Sequence, residues 1–457
     1  MINNSSKITL KFRGDDLVII GKIPSQLLQF EFKKESSFTR FLPCDFYEII
    51  SIFKKHNIDY KAQINQDLTL PLFLTPKFIL RDYQSKAFHK WLKYKRGTLV
   101  LPTGSGKTIV GLMIIKELCF KTLIVVPTLD LVNQWVLIFD WFEESINSDS
   151  FTIGRFGGGE KDMQAITVAT YESARLYSRK LRDKYGLIIF DEVHHLSESW
   201  KKIAQSYIAP YRLGLTATLE PDDENYNNIV KYVGPVVYQV SPEDLRSIGA
   251  IANFEIKKIL VSLPPELQEI YNRKIKVFRE YMKKKRLFGK KGFQKLIFQY
   301  QNPEARKALE SHRKCRNIAF NALGKFNAIK DILIKHPEEK IILFCESIAF
   351  VEQISQEFLI PVISSKTSPN ERKSVIAGFK NSNLRVIAAG RVLDEGVDVA
   401  QAAIGVVISG SAQKRQFIQR LGRVLRPHPG KTVAILYEII TKDTSEVGTA
   451  DRRQISV

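Results

Sequence analysis

Cysteine is scarce in this chain, and the four present, Cys44, Cys119, Cys315 and Cys345, stand far apart with no Cys-x-x-Cys among them. That excludes a disulfide framework, a zinc ribbon and a thiolate-held iron–sulphur cluster, and it fits a reducing cytoplasm. Long apolar runs are missing too: no run of 18 apolar residues occurs, and the opening MINNSSKITLKFRG has no signal core. A protein that neither spans a membrane nor is secreted is expected, with a cytoplasmic location. Acidic residues are in deficit, 48 against 69 lysines and arginines, for a net charge of +21. Such an excess favours a polyanion as partner, nucleic acid ahead of an anionic membrane surface. At 457 residues the chain exceeds the roughly 250–300 at which one hydrophobic core stops growing, so two or more domains are expected.

The chemistry is concentrated in GTLVLPTGSGKT, Gly97 to Thr108. A short apolar strand, Leu99 to Leu101, runs into a loop of Thr103, Gly104, Ser105 and Gly106, and then into Lys107, Thr108 and an apolar helix. This is P-loop spacing. The glycines let backbone N–H groups turn toward phosphate oxygens, Lys107 reaches the outer phosphates and the Thr108 hydroxyl holds Mg2+. ATP with Mg2+ is the expected cofactor; the one departure from the strict pattern is Leu101, where a glycine is usual. Upstream, LRDYQSKAFHKWLKYKRG predicts an amphipathic helix with Tyr83, Phe88, Trp91 and Leu92 on one side. Arg81 and Gln84 at its start are spaced to reach a purine edge.

Residues 1–75 alternate like short strands (ITLKFRG, LVIIGKI, LLQFEFKK) before a helix over Phe46 to Lys55, a small α+β module without a chemical motif. Further on, KTLIVVPT, AITVATYES and LIIFDEVHH read as strands, and LDLVNQWVLIFDWF as a helix. Continuous apolar strands with helices between them mean a parallel sheet covered on both faces, with ligands beyond the carboxyl ends of the strands. The P-loop and the Asp191-Glu192 pair fall at such ends. Asp191 can hold Mg2+ through water, and Glu192 can orient and deprotonate a water in line with the terminal phosphate.

Between Arg273 and Leu296 stand eleven lysines and arginines and one acid, Glu280, with Tyr271, Phe278, Tyr281, Phe288, Phe293, Phe298 and Tyr300 interleaved or flanking. Two readings stay open: a helical hairpin with solvated lysines and a core-facing aromatic stripe, or a phosphate-binding surface, which the one-sided charge favours. From Gly324 a second α/β domain without its own P-loop follows, with IILFCES, LRVIAAG and IGVVISG as strands. SPNERKSVIAGF predicts a helix capped by Ser368, with Pro369 in its first turn and Glu371 closing the box. In the predicted helix QKRQFIQRLGRVLRP, Arg420, Arg423 and Arg426 share one face, and Arg423 and Arg426 can stabilise charge on a transferring phosphate.

Taken in order, PTGSGKT, VVPT, DEVH, TAT, DEGVD and QRLGRVLR resemble motifs I, Ia, II, III, V and VI of superfamily 2 helicases. LRDYQ, DEVHH and the basic insertion make the chain most similar to the archaeal XPB helicases, over about residues 78–457. The resemblance implies two RecA-like parallel-sheet domains, 76–240 and 241–457, that clamp ATP-Mg2+ and close and open as it is bound and hydrolysed. It implies a helical basic thumb at 264–315, where Lys283, Lys284, Lys285 and Arg286 grip DNA. Residues 1–75 correspond only by position and size to that family's damage-recognition-like domain. Site roles follow the motifs: Thr216 and Thr218 couple the domains, Gly396 and Asp398 bind nucleotide, and Gln419, Arg423 and Arg426 complete the catalytic set. Thr128, Gly157, Gly158, Gly159, Thr170 and Arg391 contact the nucleic-acid backbone, largely without regard to sequence.

The implied activity is that of a DNA-dependent ATPase and 3'-to-5' DNA helicase or translocase in nucleotide excision repair or DNA opening, with a companion nuclease as partner. An RNA-directed motor of the same superfamily and an architectural DNA binder switched by ATP remain as alternatives. One departure is specific to this chain: Pro221, Asp222 and Asp223 stand where XPB-like proteins carry an Arg-Glu-Asp triplet. Poor strand separation by the isolated protein is expected.

Overall fold

The computed structural model describes residues 8–65, 67–70, 73–139, 142–145, 152–250, 253–390, 402–409 and 433–454. Among them the chain forms two compact units, the first running to Leu245 and the second from Arg246. No described helix is long and apolar enough to cross a membrane.

The first unit opens with a five-stranded sheet in the order Phe32–Lys34, Thr39–Phe41, Asp16–Ile20, Ile8–Arg13, Tyr60–Ala62. The helix Phe46–Lys55 supplies Phe46, Ile49, Ile50 and Phe53 to its core at helical spacing, as the sequence predicts. LLQFEFKK is not one strand: Ser25–Gln29 is a 3-10 turn that anchors only Leu27, and Phe32–Lys34 is a short exposed edge strand. Pro24, extended at the turn's entry, separates this segment from the preceding strand.

This module is fastened to the motor behind it. Ile208 of the motor lies in the module's core, and Cys44 of the module lies in the motor's. Asp15 accepts from Arg179 Nε at 2.6 Å and from Lys202 Nζ at 2.9 Å, and these cations hold its carboxyl at about 2, down from 3.8. Arg182 lies 3.6 Å from the Phe12 ring centroid and donates to the Gly14 carbonyl. A depressed carboxylate contributes stability above its unfolded value and loses it as pH falls toward the folded one. The protection of residues 8–65 against hydrogen exchange, relative to the intrinsic rate at each pH, is therefore expected to fall between about pH 4 and pH 2, and Asp15→Asn should flatten that dependence. A profile identical in the two proteins would show that Asp15 does not fasten the module.

The main sheet of this unit has eight strands, ordered Glu160–Lys161, Gly154–Gly157, Ile166–Thr170, Thr122–Val126, Leu187–Asp191, Tyr211–Thr216, Arg96–Val100, Val236–Gln239. All pair in parallel except the hairpin strand Glu160–Lys161. Thr122–Val126 and Leu187–Asp191 are buried along their whole length, the pattern of strands covered on both faces. The helix predicted through Phe142 ends at Ile138. Phe142–Ser145 is instead a strand paired antiparallel with Phe73–Pro76, a tertiary pairing that overrides local helical spacing.

The second unit is built on six parallel strands in the order Asn253–Val261, Val433–Thr441, Ile404–Val407, Ile341–Phe344, Val386–Ala389, Val362–Ile363. Ser368 caps the helix Pro369–Lys380 by accepting from the Glu371 N–H, as its sequence predicts. Between the first two strands of the unit in chain order come four helices, Pro265–Lys284, Gly289–Phe298 and Pro303–Phe320 of the basic insertion and then Gly324–Lys335. Tyr281, Leu287, Leu296, Ala305 and Ala308 pack at the centre of the first three.

Candidate functional site

Sheet order brings the motifs to one edge. Arg96–Val100 feeds the P-loop, the adjacent Tyr211–Thr216 ends in the TAT segment, and the next strand ends in Asp191-Glu192. Beyond these, Thr122–Val126 leads to Thr128, Ile166–Thr170 ends at Thr170, and Gly154–Gly157 turns at Gly158 and Gly159. One half of the edge thus carries the nucleotide motifs and the other half the residues expected to meet nucleic acid. Carboxyl ends of parallel strands are where such sheets bind ligands.

In the P-loop, Gly104 and Gly106 take positive φ, 82° and 80°. A Cβ on Gly106 would lie 2.5 Å from Gln84 Nε2, so no other residue fits there. Thr103 Oγ1 and Ser105 Oγ are buried with no hydrogen-bond partner among the described residues. Orphaned hydroxyls in a loop of this geometry fit a phosphate chain, which supplies the missing acceptors. Lys107 Nζ donates to the Leu101 carbonyl at 3.2 Å, and Lys107 and Thr108 begin the helix Lys107–Leu118.

Gln84 is tied into the loop. Its Nε2 donates to the Ser105 carbonyl at 2.8 Å, its Oε1 accepts from the Arg81 N–H at 2.9 Å, and Tyr83 Oη donates to the same Ser105 carbonyl at 2.6 Å. The helix Asp82–Tyr94 therefore sets the loop's shape from below through two side chains.

Asp191 is buried at the end of its strand. Trp135 Nε1–H donates to its Oδ2 at 2.8 Å, and the Glu192 N–H donates to its Oδ1 at 3.0 Å. Trp135 was invisible to motif reading, although one signal exists: Gly111, in the middle of an apolar helix, where a Cβ would stand 2.9 Å from the Trp135 ring. Glu192 itself is left-handed, φ 49° and ψ 53°, a conformation costing a non-glycine residue about 1–3 kcal/mol and found where the surroundings dictate a side chain's aim.

His194 Nδ1 faces two oxygens, Glu192 Oε2 at 3.4 Å and Thr216 Oγ1 at 3.2 Å. Thr216 Oγ1 donates to the Thr218 carbonyl and accepts from the Thr218 N–H. Since its one proton is committed there, the hydroxyl can only accept from His194, which assigns the proton to Nδ1. His194, Thr216 and Thr218 form one hydrogen-bonded line, and the Glu192 carboxylate stands at its head at ion-pair distance from His194, so the acidic pair and the TAT turn are in contact through it. Asn225 Nδ2 donates to the His194 carbonyl and joins the following loop to it.

The half of the edge expected to meet nucleic acid is organised by caps. Thr128 Oγ1 accepts from the Leu131 N–H and Thr170 Oγ1 from the Ser173 N–H, each starting a helix. The Gly157–Gly159 turn packs on Leu129 and Thr170 closely enough that a Cβ on Gly157 would meet Thr170 Cγ2 at 2.9 Å. In the second unit Lys283 to Arg286 are exposed at the end of the helix Pro265–Lys284, where Lys284 faces Glu304 at 3.3 Å. Arg391, Gly396, Asp398, Gln419, Arg423 and Arg426 lie outside the described residues.

The comparisons agree on the family. Residues 77–221 match the type III restriction enzyme, res subunit family, and residues 304–457 match the ERCC3/RAD25/XPB C-terminal helicase family. The chain is 41% identical over 412 residues to the DNA 3'-5' translocase XPB2 of Sulfurisphaera tokodaii, an alignment covering 89% of this chain and 91% of that one. It is 27% identical over 390 residues to the DNA 3'-5' helicase XPB of Mycobacterium tuberculosis, covering 82% of this chain and 63% of that longer protein. Among solved structures it is similar to the Hef helicase domain of Pyrococcus furiosus, with a TM-score of 0.54 at 18% identity over 81% of this chain and 97% of the other, which shows the fold alone. The resemblance carried by PTGSGKT, DEVHH and QRLGRVLR is the one these matches show: the chain belongs to the XPB family of superfamily 2 helicases.

Proposed function

We propose that this protein is a DNA-stimulated ATPase that moves 3'-to-5' along DNA, or distorts it, in repair or DNA opening. The observation that carries the reading is the shared sheet edge, where the P-loop's orphaned hydroxyls, the buried Asp191 and the left-handed Glu192 stand two strands apart, beside the glycine turn and capping threonines. Thr103 to Lys107 cradle the phosphates of ATP, and Thr108 and Asp191 hold Mg2+, which when bound neutralises charge on the outer phosphates. Glu192 takes the proton of the attacking water, its backbone aiming the carboxylate before substrate arrives. The proton on His194 Nδ1 serves either Glu192 or Thr216, so the line from Glu192 to Thr218 carries the state of the site to the TAT turn. Arg81 and Gln84 face the base end, Gln84 sensing the loop through Ser105. Gln419, Arg423 and Arg426, with Gly396 and Asp398, complete the site on the strength of the sequence pattern. Thr128, Gly157 to Gly159, Thr170 and Arg391 meet the DNA backbone, and the companion nuclease is a partner proposed on resemblance alone.

Turnover measured alone, with duplex DNA, with single-stranded DNA and with RNA tests the reading. Stimulation by DNA above RNA is expected. RNA as the better activator would transfer the protein to the RNA-directed motors, and no turnover under any condition would leave an ATP-switched binder.

The loop after TAT bears on what the motor achieves. Asp223 Oδ2 accepts from the Glu220 N–H at 3.1 Å and closes a tight turn, leaving Pro221 and Asp222 exposed at its tip. Neither Pro221 nor Asp222 carries a positive charge to pair with phosphate or stack on a base. On a forked duplex the isolated protein is expected to hydrolyse ATP yet release little strand, and Pro221→Arg to raise the yield. Full unwinding by the unaltered protein, unchanged by Pro221→Arg, would show that this loop does not limit strand separation.

A further inference from the structure

The aromatic residues of the basic insertion divide in the fold. Tyr271 and Tyr281 are buried, and Phe278 and Phe293 pack against the His312 ring at 4.5 and 5.1 Å. These account for the core stripe. Phe288 and Phe298 do not: they are 74% and 88% exposed, at either end of the helix Gly289–Phe298.

Their spacing is not arbitrary. Within the helix Gly289–Phe298, Lys291, Lys295 and Phe298 stand at steps of four and three, on one face, and Phe288 is the extended residue just before its first turn, ψ 147°. Gly292 and Leu296, one turn apart on the adjoining side, are buried, Gly292 against Leu287 and Leu296 among Tyr281, Leu287, Ala305 and Ala308. Lys291 and Lys295 are exposed and form no ion pair among the described residues. The outer face is therefore two cations flanked by two bare aromatic rings, on a scaffold held rigid from beneath. At a rise of ~1.5 Å per residue the helix between the two rings is about 15 Å long, roughly the length of four stacked nucleotides at ~3.4 Å each.

We propose that this face is a stacking site for an unpaired nucleic-acid strand, with Phe288 and Phe298 against bases and Lys291 and Lys295 against the phosphates between them. The inference rests on reading the protein as a DNA motor and goes beyond it. Backbone contacts alone serve duplex and single strand alike, whereas exposed rings select bases that are free to leave a stack. Charge complementarity identifies the occupant: a strand supplies phosphates and π-faces at the alternation this helix presents.

Binding of the full protein to a labelled single-stranded oligonucleotide and to a blunt duplex, over a series of salt concentrations, tests it. Phe288→Ala with Phe298→Ala is expected to weaken single-strand binding about tenfold or more. Duplex affinity and the slope of log affinity against log salt should stay as they were. Lys291→Gln with Lys295→Gln should flatten the single-strand slope by about 1.4, at ~0.7 per phosphate contact. A 2-aminopurine placed in the strand should be quenched by the unaltered protein, and by Phe288→Trp with Phe298→Trp, but not by the double alanine variant. Both rings are exposed, so folding is not at issue in these variants. Equal losses on duplex and single strand, no loss on either, or phenylalanine-dependent binding to anionic vesicles without preference for single strands would overturn the site. A protein that binds duplex and is stimulated by it, yet ignores the double alanine change, loses this inference alone. One that binds neither nucleic acid loses the motor reading with it.

Discussion

A Glu192→Gln protein is expected to bind ATP as the unaltered protein does and to hydrolyse it about 10²–10⁴ times more slowly, the range a positioned general base supplies. The amide has the size of the carboxylate but cannot take the proton of the attacking water. The surroundings explain why shape survives. The left-handed backbone at Glu192 is held by its N–H bond to Asp191 Oδ1 and by the turn that follows, and neither depends on side-chain charge. The His194 Nδ1–Thr216 bond does not involve the side chain at 192, so the line from His194 to Thr218 stays intact. Lys107→Ala separates the steps: it removes a phosphate contact and should lose binding as well as turnover. Turnover by single-turnover kinetics and ATP affinity by fluorescent-analogue titration distinguish the two variants. Wild-type hydrolysis in Glu192→Gln would remove the general-base role from this residue.

The legible parts of this protein were those set by local pattern. The Phe46–Lys55 helix and the Ser368 cap follow from periodicity and capping chemistry, and buried parallel strands announce themselves as unbroken apolar runs. The P-loop was legible because phosphate binding constrains consecutive residues. What escaped reading was set by contacts between distant positions. Trp135 holds Asp191 across 56 residues, and only Gly111 hints that a ring needs room beneath the P-loop helix. Phe142–Ser145 is a strand because Phe73–Pro76 offers it an edge. In the basic insertion, composition left a core stripe and a binding surface as alternatives; the fold buries Tyr271 and Tyr281 and leaves Phe288 and Phe298 exposed. Thr128 and Thr170 carry a further lesson, since motif residues expected at nucleic acid also cap the helices that present them.

Lys325 is the residue whose loss should cost the second unit most. Its ammonium is fully buried and donates to both oxygens of Glu446 at 2.9 Å and to the Ile408 carbonyl at 2.8 Å. Glu446 Oε2 also accepts from the Thr441 N–H at 2.8 Å, so the pair ties the helices Gly324–Lys335 and Ser445–Gln454 to the ends of two sheet strands. Truncating one partner of such a pair strands a carboxylate out of water, which costs about 3–5 kcal/mol, more than the pair's own net contribution. Lys325→Ala should therefore lower the melting temperature by roughly 6–20 °C, at ~2–4 °C per kcal/mol for a domain of this size. Removing both charges, Lys325→Met with Glu446→Gln, should recover most of that loss: the methionine fills the space and the glutamine still accepts from Thr441. Recovery should be incomplete, because the Ile408 carbonyl then has no donor. Hydrogen exchange resolved by segment checks the assignment, with protection falling across residues 324–345 and 433–450 and unchanged over residues 96–216. A single alanine variant as stable as the unaltered protein would mean that water reaches Glu446 and that the pair is not what joins these helices to the sheet.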